Sequence, residues 1–172
     1  MNEPFQRNLK KNYPLVSIIS INYNNSYDTC DLIESLINIS YPNFEIIIVD
    51  NCSTSDNPQI IKEKYPNITL IVNNINVGFP GGNNVGILKA KGKYILLLNN
   101  DCIVTKNFLE PLVEKFENNS NIGAVSPKIK FFYNPEKIQF AGSLPMNKYT
   151  IRTHAIGYNE TDTGQYDVDK ET

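Results

Sequence analysis

The sequence predicts an α/β fold whose sheet is open, twisted and mostly parallel, with helices flanking its faces. Runs of β-branched and leucine residues alternate with stretches of helical periodicity, and short polar links join them. Such alternation favours right-handed crossovers between parallel strands. Residues 46–49 are apolar at every position, which is typical of a strand that is covered on both faces.

Five strands are expected, with apolar runs at residues 15–21, 44–50, 68–72, 94–98 and 122–132. Apolar residues at helical spacing predict helices near residues 26–38, 60–65, 84–90 and 107–116. Asn25 or Ser26 can cap the first of these helices. The last helix has to begin near Asn107, because Pro111 is tolerated only in a first turn.

Length and composition are those of a globular protein. The chain has 172 residues, 41% hydrophobic and 20% charged, with a net charge of −2. We expect one domain over residues 14–142, preceded by a polar leader over residues 1–13. Residues 143–172 are polar and turn-rich, so we expect an irregular tail that is an incomplete continuation of the same domain. Without a basic excess, no nucleic-acid partner is expected.

The cysteines and the hydropathy of the sequence indicate the cellular compartment in which the protein is expected. The three cysteines lack metal-type spacing and predict no disulfide framework, which favours a reducing cytoplasm. The longest apolar runs fall far short of the roughly 20 residues that a membrane-spanning helix needs. Peripheral association with the inner face of a membrane stays open, and the sequence does not fix an oligomeric state.

Polar segments follow four of the predicted strands. They are residues 22–24, residues 50–53, a glycine-rich loop over residues 78–86, and residues 99–101. In open α/β sheets, ligands bind beyond the carboxyl ends of the strands. We therefore expect these four segments to converge on one edge of the sheet and to form the site.

Asp50 ends the second predicted strand. Its carboxylate could accept hydrogen bonds from a base N–H or a ribose hydroxyl in the cleft. It could equally form an Asx turn that caps the next helix. Spacing alone does not choose between these two roles.

The glycine-rich loop contains Gly78, Gly81 and Gly82, followed by Asn83 and Asn84. Glycines let the backbone approach a ligand closely, and the start of a helix favours anions. The loop is neither a GxGxxG fingerprint nor a P-loop, since no Gly-Lys-Ser/Thr is present. The alternative is a turn that starts a helix.

Asn99, Asn100 and Asp101 follow the fourth predicted strand. An amide and a carboxylate two residues apart can offer oxygens to a hard cation. Mg²⁺ or Mn²⁺ would then complete its shell with water and diphosphate oxygens, and it would neutralise charge on a leaving diphosphate. The alternative is a polar turn between strand and helix.

In this order the segments resemble the motifs of glycosyltransferase family 2, whose members have the GT-A, nucleotide-diphospho-sugar transferase-like fold. The similarity covers residues 14–142 and is carried by residues 16–24, 46–53, 76–87 and 96–101. Asn99 and the Gly-Gly-Asn-Asn loop resemble the rhamnosyltransferase-like branch of the family. The chain looks like the N-terminal, donor-binding part alone.

The resemblance implies an inverting glycosyltransferase of polysaccharide biosynthesis. It would transfer a sugar from a UDP- or dTDP-sugar donor to a saccharide or lipid-linked acceptor, with Mg²⁺ or Mn²⁺ held by Asn99 and Asp101. The residues implied for binding the nucleotide sugar are Asn22, Tyr23, Asn24, Asp50, Asn51, Ser53, Gly78, Gly81, Gly82, Asn83, Asn84 and Asn100.

The chain departs from the family pattern in three respects. Asn99 stands where many members have aspartate, and Asn83 stands where many have arginine. Members also carry an acidic catalytic base, commonly in a Glu-Asp pair, in a later segment. Asp162, Asp167 and Asp169 lie in a loosely patterned region and do not match that segment. No catalytic residue is therefore assigned from the sequence.

Two rival functions stay open. The chain could be a truncated, non-catalytic module that binds a nucleotide, or only a partner protein; failure of UDP and dTDP to bind with Mn²⁺ would favour the latter. A sugar nucleotidyltransferase is less favoured. That activity calls for a glycine-rich loop with arginine or lysine directly after the first strand, and residues 22–26 provide none.

Overall fold

The computed structural model describes residues 13–169, so the predicted leader, Tyr13 apart, lies outside the described residues. The chain divides into two compact units between Asn107 and Phe108, earlier than the change expected after residue 142. Each unit has a sheet of its own. Within residues 13–169, no helix is both long enough and apolar enough to cross a membrane.

The first unit is an alternation of strands and helices. Its elements are β1 (Val16–Asn22), α1 (Ser26–Ile37), β2 (Phe44–Asp50), α2 (Gln59–Lys64), β3 (Thr69–Val72), α3 (Gly78–Ile87) and β4 (Tyr94–Leu97). The four strands are parallel neighbours in the order β3-β2-β1-β4. The prediction of a mostly parallel α/β sheet is confirmed.

The strand register brings the carboxyl ends together. β1 pairs with β2 until Asn22 lies opposite Asp50, and Asp50 lies opposite Val72 of β3. The ladder continues for one bond past the strands, where the Asn51 amide donates to the Asn22 carbonyl over 2.8 Å. Three strands therefore end at one level, and the polar residues that follow them share one edge.

The centre of this sheet is covered on both faces. Ile19 and Ile21 of β1 form a core with Ile47 and Val49 of β2, and Val85 of α3 packs against it. Successive strand residues point to opposite faces, so Ile18 and Ile48 lie on the other face, where α1 contacts β1. The unbroken apolar runs in the sequence reflect this two-sided burial.

Two glycines bring α3 close to the sheet. The helix begins at Gly78 rather than near residue 84, so the predicted glycine loop is the first turns of the helix itself. A Cβ on Gly86 would lie 2.4 Å from Cγ2 of Ile19, and one on Gly82 would lie 3.1 Å from Cδ1 of Ile21. Helix propensity disfavours glycine, and close packing on β1 outweighs that preference.

The second unit contains α4 (Leu109–Asn118), β5 (Ile129–Phe131) and β6 (Asn134–Phe140). Pro111 lies in the first turn of α4, as the sequence predicts. The single strand expected over residues 122–132 is wrong, because β5 is short and forms an antiparallel hairpin with β6. The turn between them consists of Phe132 and Tyr133. Neither is glycine or asparagine, the residues by which a two-residue hairpin turn is usually predicted.

The predicted tail folds back along β6. Isolated antiparallel bridges join Ser143 to Ala155 and Lys137 to Thr161. The Ile138 amide donates to the carbonyl of Glu160 over 2.9 Å. The segment is therefore poor in regular secondary structure but held by backbone hydrogen bonds.

An ion-pair network joins the hairpin region to the folded-back segment. Lys128 Nζ lies 2.8 Å from the Asp162 carboxylate and 2.5 Å from that of Asp167, and Lys130 Nζ lies 3.1 Å from Asp162. Hydrogen bonds from Lys128, then from Lys130, lower the pKa of Asp162 from its usual 3.8 to about 2. Because the folded-state pKa is the lower one, the stabilisation is complete above the usual pKa and is lost as the pH falls towards 2.

Replacing Gly86 by alanine tests the close packing of α3. We expect Gly86→Ala to lower the free energy of unfolding by about 1–3 kcal/mol, because the new methyl group overlaps Ile19. Gly123→Ala is the matched control, since a Cβ there meets no atom within 4 Å. Urea titration of both variants measures the difference, and equal stabilities would contradict the packing role.

The Asp162 network predicts an acid-dependent loss of stability. Between pH 4 and pH 2, the urea midpoint of the wild-type chain should fall, and Asp162→Asn should show a smaller fall across that window. Asp169→Asn is the control, because the ion pair of Asp169 with Lys115 is exposed on both sides. If the urea midpoint of Asp162→Asn falls as much as that of the wild type between pH 4 and pH 2, the acid-dependent loss of stability does not come from Asp162.

Candidate functional site

A cavity of about 590 Å³ lies in the first unit at the carboxyl ends of the strands. Its wall combines apolar, amide and acidic side chains, contributed by the segments that follow β1, β2, β3 and β4. The lining residues are Ile21, Tyr23, Asn25, Asn51, Asn76, Gly78, Phe79, Asn99, Asn100 and Asp101. Its volume lies within the range of small-molecule sites.

The Asp50 carboxylate holds the ends of β1 and β2 together. It is fully buried, and its Oδ1 accepts hydrogen bonds from Asn22 Nδ2 over 2.7 Å and from the Ser53 hydroxyl over 2.5 Å. Its Oδ2 accepts from the Ser53 amide over 2.9 Å. Asn22 is held in turn, since its Oδ1 accepts from the Thr29 hydroxyl of α1. Neither Asn22 nor Asp50 lines the cavity.

Asn24 links the turn after β1 to the turn after β2. Its φ of 54° is left-handed, a conformation that asparagine tolerates better than most residues. Its side-chain oxygen accepts from the amides of Thr54 and Ser55, at 2.8 and 2.9 Å. Its own amide donates to the Ser53 hydroxyl over 2.8 Å. Asn24 and Ser53 therefore shape the rim of the cavity without lining it.

The Asn51 side chain connects β2 to the segment that enters α3. Its Nδ2 donates to the Asn76 side-chain oxygen over 2.8 Å and to the Gly78 carbonyl over 3.2 Å. Its Oδ1 accepts from the Val77 amide and from Asn73 Nδ2. A primary amide has two N–H donors and an oxygen with two lone pairs, so all of its capacity is used. Asn51 is buried and also forms part of the cavity floor.

Asn76, Gly78 and Phe79 form the wall on the α3 side. Gly78 has a φ of +73°, which few other residues would adopt without strain. Phe79 follows in the first turn of α3 with its ring exposed. The sequence prediction did not assign Asn76 or Phe79 to the site. The strand-end rule would have found Asn76 if it had been applied to the residues after β3.

The other predicted residues of α3 do not line the cavity. Gly82 is packed against Ile21, and a Cβ on Gly81 would lie 2.9 Å from Val77. Asn83 is buried and donates to the Phe79 carbonyl over 3.0 Å. Asn84 is exposed on the helix.

Residues 99–101 form the corner of the cavity that follows β4. Asn100 donates to the Thr29 hydroxyl over 3.0 Å, which ties this corner to α1. The side chains of Asn99 and Asp101 are exposed and line the cavity. Burial, and then the neighbouring Asp101 carboxylate, raises the pKa of the Cys102 thiol. Asn25, which the prediction treated only as a helix cap, both caps α1 and lines the cavity.

The corner formed by residues 99–101 suits a cation that phosphate oxygens also bind better than a cation whose ligands all come from the protein. Within residues 13–169, no group of three or more histidine, cysteine and acidic side chains could enclose a metal. Among residues 13–169, Asp101 is the one carboxylate in the wall, and Asn99 adds an amide oxygen. Mg²⁺ commonly takes one or two carboxylates and completes its shell with water and substrate phosphates. The donor set is compatible with that arrangement.

The arrangement suits a ligand with a flat polar ring and a diphosphate. Two aromatic side chains, Tyr23 and Phe79, expose their rings at the cavity, with Tyr23 48% exposed. Amides contributed by four segments provide directional donors and acceptors. The chain belongs to glycosyltransferase family 2: the family profile, described as glycosyl transferase family 2, matches residues 17–166.

Two relatives support this membership. An uncharacterized glycosyltransferase of Haemophilus influenzae is 32% identical over 126 residues, which cover 73% of this chain and 40% of that protein. A poly(ribitol-phosphate) beta-glucosyltransferase of Bacillus spizizenii is 30% identical over 171 residues, covering 81% of this chain and 27% of that protein. The chain therefore spans well under half the length of these relatives.

A solved structure shows the same fold. The mannosyltransferase PcManGT of Pyrobaculum calidifontis, in complex with GDP-Man and Mn²⁺, superposes with a TM-score of 0.62 at 22% identity. The match covers 70% of this chain and 37% of that protein. The predicted GT-A fold is confirmed, whereas the rhamnosyltransferase-like branch stays a prediction.

Removing the Asn51 amide tests the connection between β2 and α3. Asn51→Ala should lower the free energy of unfolding by about 1–3 kcal/mol, because buried donors and acceptors lose their partner. Asn74→Ala is the control: Asn74 is exposed in the same loop and should change stability by no more than about 0.5 kcal/mol. Equal urea midpoints for the two variants would contradict the role of Asn51.

Proposed function

We propose that this chain is mainly the donor-binding part of an inverting glycosyltransferase and that its strand-end cavity binds a nucleotide sugar. The observation that carries the proposal is the composition of the cavity. Five asparagines, two exposed aromatic rings and one exposed carboxylate surround a space of about 590 Å³ at the carboxyl edge of a parallel sheet. That edge is where open α/β sheets bind their ligands.

The residues predicted for the nucleotide sugar divide into two groups in this proposal. Tyr23, Asn51, Gly78 and Asn100 line the cavity and would contact the donor directly, together with Phe79. The remaining members would support the site from outside the cavity wall: some hydrogen-bond to neighbouring segments, and others lie within α3. These are Asn22, Asn24, Asp50, Ser53, Gly81, Gly82 and Asn83, with Asn84 at the helix surface.

The diphosphate would lie at the corner formed by residues 99–101. Asp101 and Asn99 would hold Mg²⁺ or Mn²⁺, and the cation would neutralise charge on the leaving diphosphate. No lysine or arginine among residues 13–169 lines the cavity. We therefore expect diphosphate binding to depend on the divalent cation.

The donor would be a UDP- or dTDP-sugar and the acceptor a saccharide or lipid-linked acceptor in polysaccharide assembly. The full name of the Bacillus spizizenii relative, poly(ribitol-phosphate) beta-glucosyltransferase, supports transfer to a polymer. The proposal assigns the catalytic base to none of the acidic residues 162, 167 and 169. All three pair with lysines, and the Asp162 carboxylate, whose pKa is lowered to about 2, is a weak base.

Substituting Asp101 tests the donor site. Calorimetry with UDP, dTDP and GDP, each with Mn²⁺ and with EDTA, should show metal-dependent binding of UDP or dTDP to the wild-type chain, with GDP as the comparison. In Mn²⁺, Asp101→Ala should weaken that binding by about tenfold or more, towards the EDTA value, because the only carboxylate that the described residues contribute to the cavity wall is lost.

Asp31→Ala is the matched control, since Asp31 is an exposed aspartate on α1 that does not line the cavity. It should bind as the wild type does. Absence of binding by all three nucleotides in Mn²⁺ would favour the non-catalytic, partner-binding alternative. Unchanged affinity in Asp101→Ala would remove Asp101 from the site.

A further inference from the structure

The second unit has a small cavity of its own on the β5–β6 hairpin. Its volume is about 300 Å³, at the lower end of the range for small-molecule sites. Three consecutive aromatic residues and three polar residues line it: Phe131, Phe132, Tyr133, Asn134, Lys137 and Asn159. None of them is used by the proposed donor site.

The hairpin turn presents its aromatic rings to solvent. Phe132 is 68% exposed and Tyr133 is 96% exposed, and together they form the whole turn between β5 and β6. Two-residue turns favour asparagine, aspartate and glycine, which adopt turn conformations at low cost. Phe132 and Tyr133 are therefore neither residue types that the turn prefers nor side chains that pack in a core. Clustered exposed apolar side chains of this kind mark binding surfaces.

Contacts between rings set their orientations. The Phe132 and Tyr133 rings meet edge to face, with centroids 5.1 Å apart and planes at 82°. The Phe131 ring meets that of Tyr158 at 5.8 Å and 70°. Edge-to-face pairs are favoured by the ring quadrupoles, so each ring is held by a neighbour. The aromatic wall is thus partly preorganised, which lowers the entropic cost of binding.

The polar side of the cavity offers hydrogen-bonding groups. The side-chain amides of Asn134 and Asn159 make no hydrogen bond to any residue in the range 13–169, while the Asn159 backbone is fixed by a 2.8 Å bond to the Ile138 carbonyl. Lys137 Nζ donates to the Thr161 hydroxyl over 3.0 Å, which holds the ammonium group at the wall. No described carboxylate lines the cavity.

We propose that this hairpin cavity binds a saccharide, specifically the end of a β-linked glucose-type or N-acetylglucosamine-type glycan. Pyranose rings with equatorial hydroxyls expose flat C–H faces, which the negative faces of Phe132 and Tyr133 attract. A primary amide donates and accepts, so Asn134 and Asn159 match neighbouring hydroxyls. The site would be separate from the donor cavity and would give the chain a means of holding a glycan.

A membrane surface is the less favoured occupant. Membrane-binding surfaces combine apolar side chains with several cations that meet anionic lipid headgroups. This surface is concave, two amides border it, and Lys137 is the only cation in its wall within the described residues.

The test is a titration of the full ¹⁵N-labelled chain with cellohexaose and chitohexaose, followed by amide chemical shifts. Shifts should centre on residues 131–134 and 159. Tyr133→Ala should weaken binding by about tenfold, because one stacking ring is lost. Tyr133→Phe keeps the ring and should bind as the wild type does.

Tyr149→Ala is the matched control, because Tyr149 is 97% exposed in the same unit and does not line the cavity. It should leave the shifts unchanged. The proposal is overturned if neither oligosaccharide shifts the hairpin amides, or if Tyr133→Ala binds as tightly as the wild type. It is also overturned if Tyr133 is needed instead for binding vesicles of phosphatidylglycerol and phosphatidylethanolamine. Nucleotide calorimetry measures binding to the first unit. The donor-site proposal and the hairpin-cavity proposal can therefore fail independently of each other.

Discussion

The buried side chains of Asp50 and Asn51 are the constraint on which the rest of the site depends. The Asp50 carboxylate joins the ends of β1 and β2 through Asn22 and Ser53. The Asn51 amide joins the end of β2 to residues 73–78, which lead into α3. Parallel strands place these segments side by side, but backbone pairing ends one residue past the strands, at the amides of Asn51 and Asn73. Beyond that point the positions of the loops are set by these two side chains, because buried polar groups must find partners inside the protein.

This internal bonding determines which groups are open to a ligand. A fully bonded and buried carboxylate fixes the positions of the loops around it, whereas an exposed carboxylate that no described lysine or arginine pairs with provides charge for a ligand. Asp50 is of the first kind and Asp101 is of the second. Membership of glycosyltransferase family 2 and the GT-A fold agree with a ligand site at this edge. The abundance of asparagine in the loops has a physical explanation here, since a neutral amide can link two loops without the cost of burying a charge.

The sequence predicted most elements of the first unit, whereas in the second unit it predicted α4 and missed the hairpin. Unbroken apolar runs such as that of β2 indicate burial on both faces, so the four strands and their parallel direction could be predicted from the pattern, whereas the order β3-β2-β1-β4 was not predicted. The start of α3 was missed because glycine is a poor helix former, and only the approach of Gly86 to Ile19 explains its presence. The β5–β6 hairpin was missed because its turn consists of Phe132 and Tyr133. Within the site, strand ends located the cavity segments, and Asn76 could have been found in the same way, but the sequence could not show that the Asp50 side chain is buried while Phe79 lines the cavity.

The central claim is that a metal-bound nucleoside diphosphate occupies the cavity at the carboxyl edge of the parallel sheet. Paramagnetic broadening of amide resonances by Mn²⁺ in the presence of UDP tests it most directly, because the broadening falls steeply with distance from the ion. The account predicts the strongest broadening at residues 99–101 and weaker broadening at residues 23 and 76–79. The amino ends of the strands, at Val16, Phe44 and Tyr94, should keep sharp signals. Broadening centred on those amino ends, or a pattern that UDP does not change, would contradict the account.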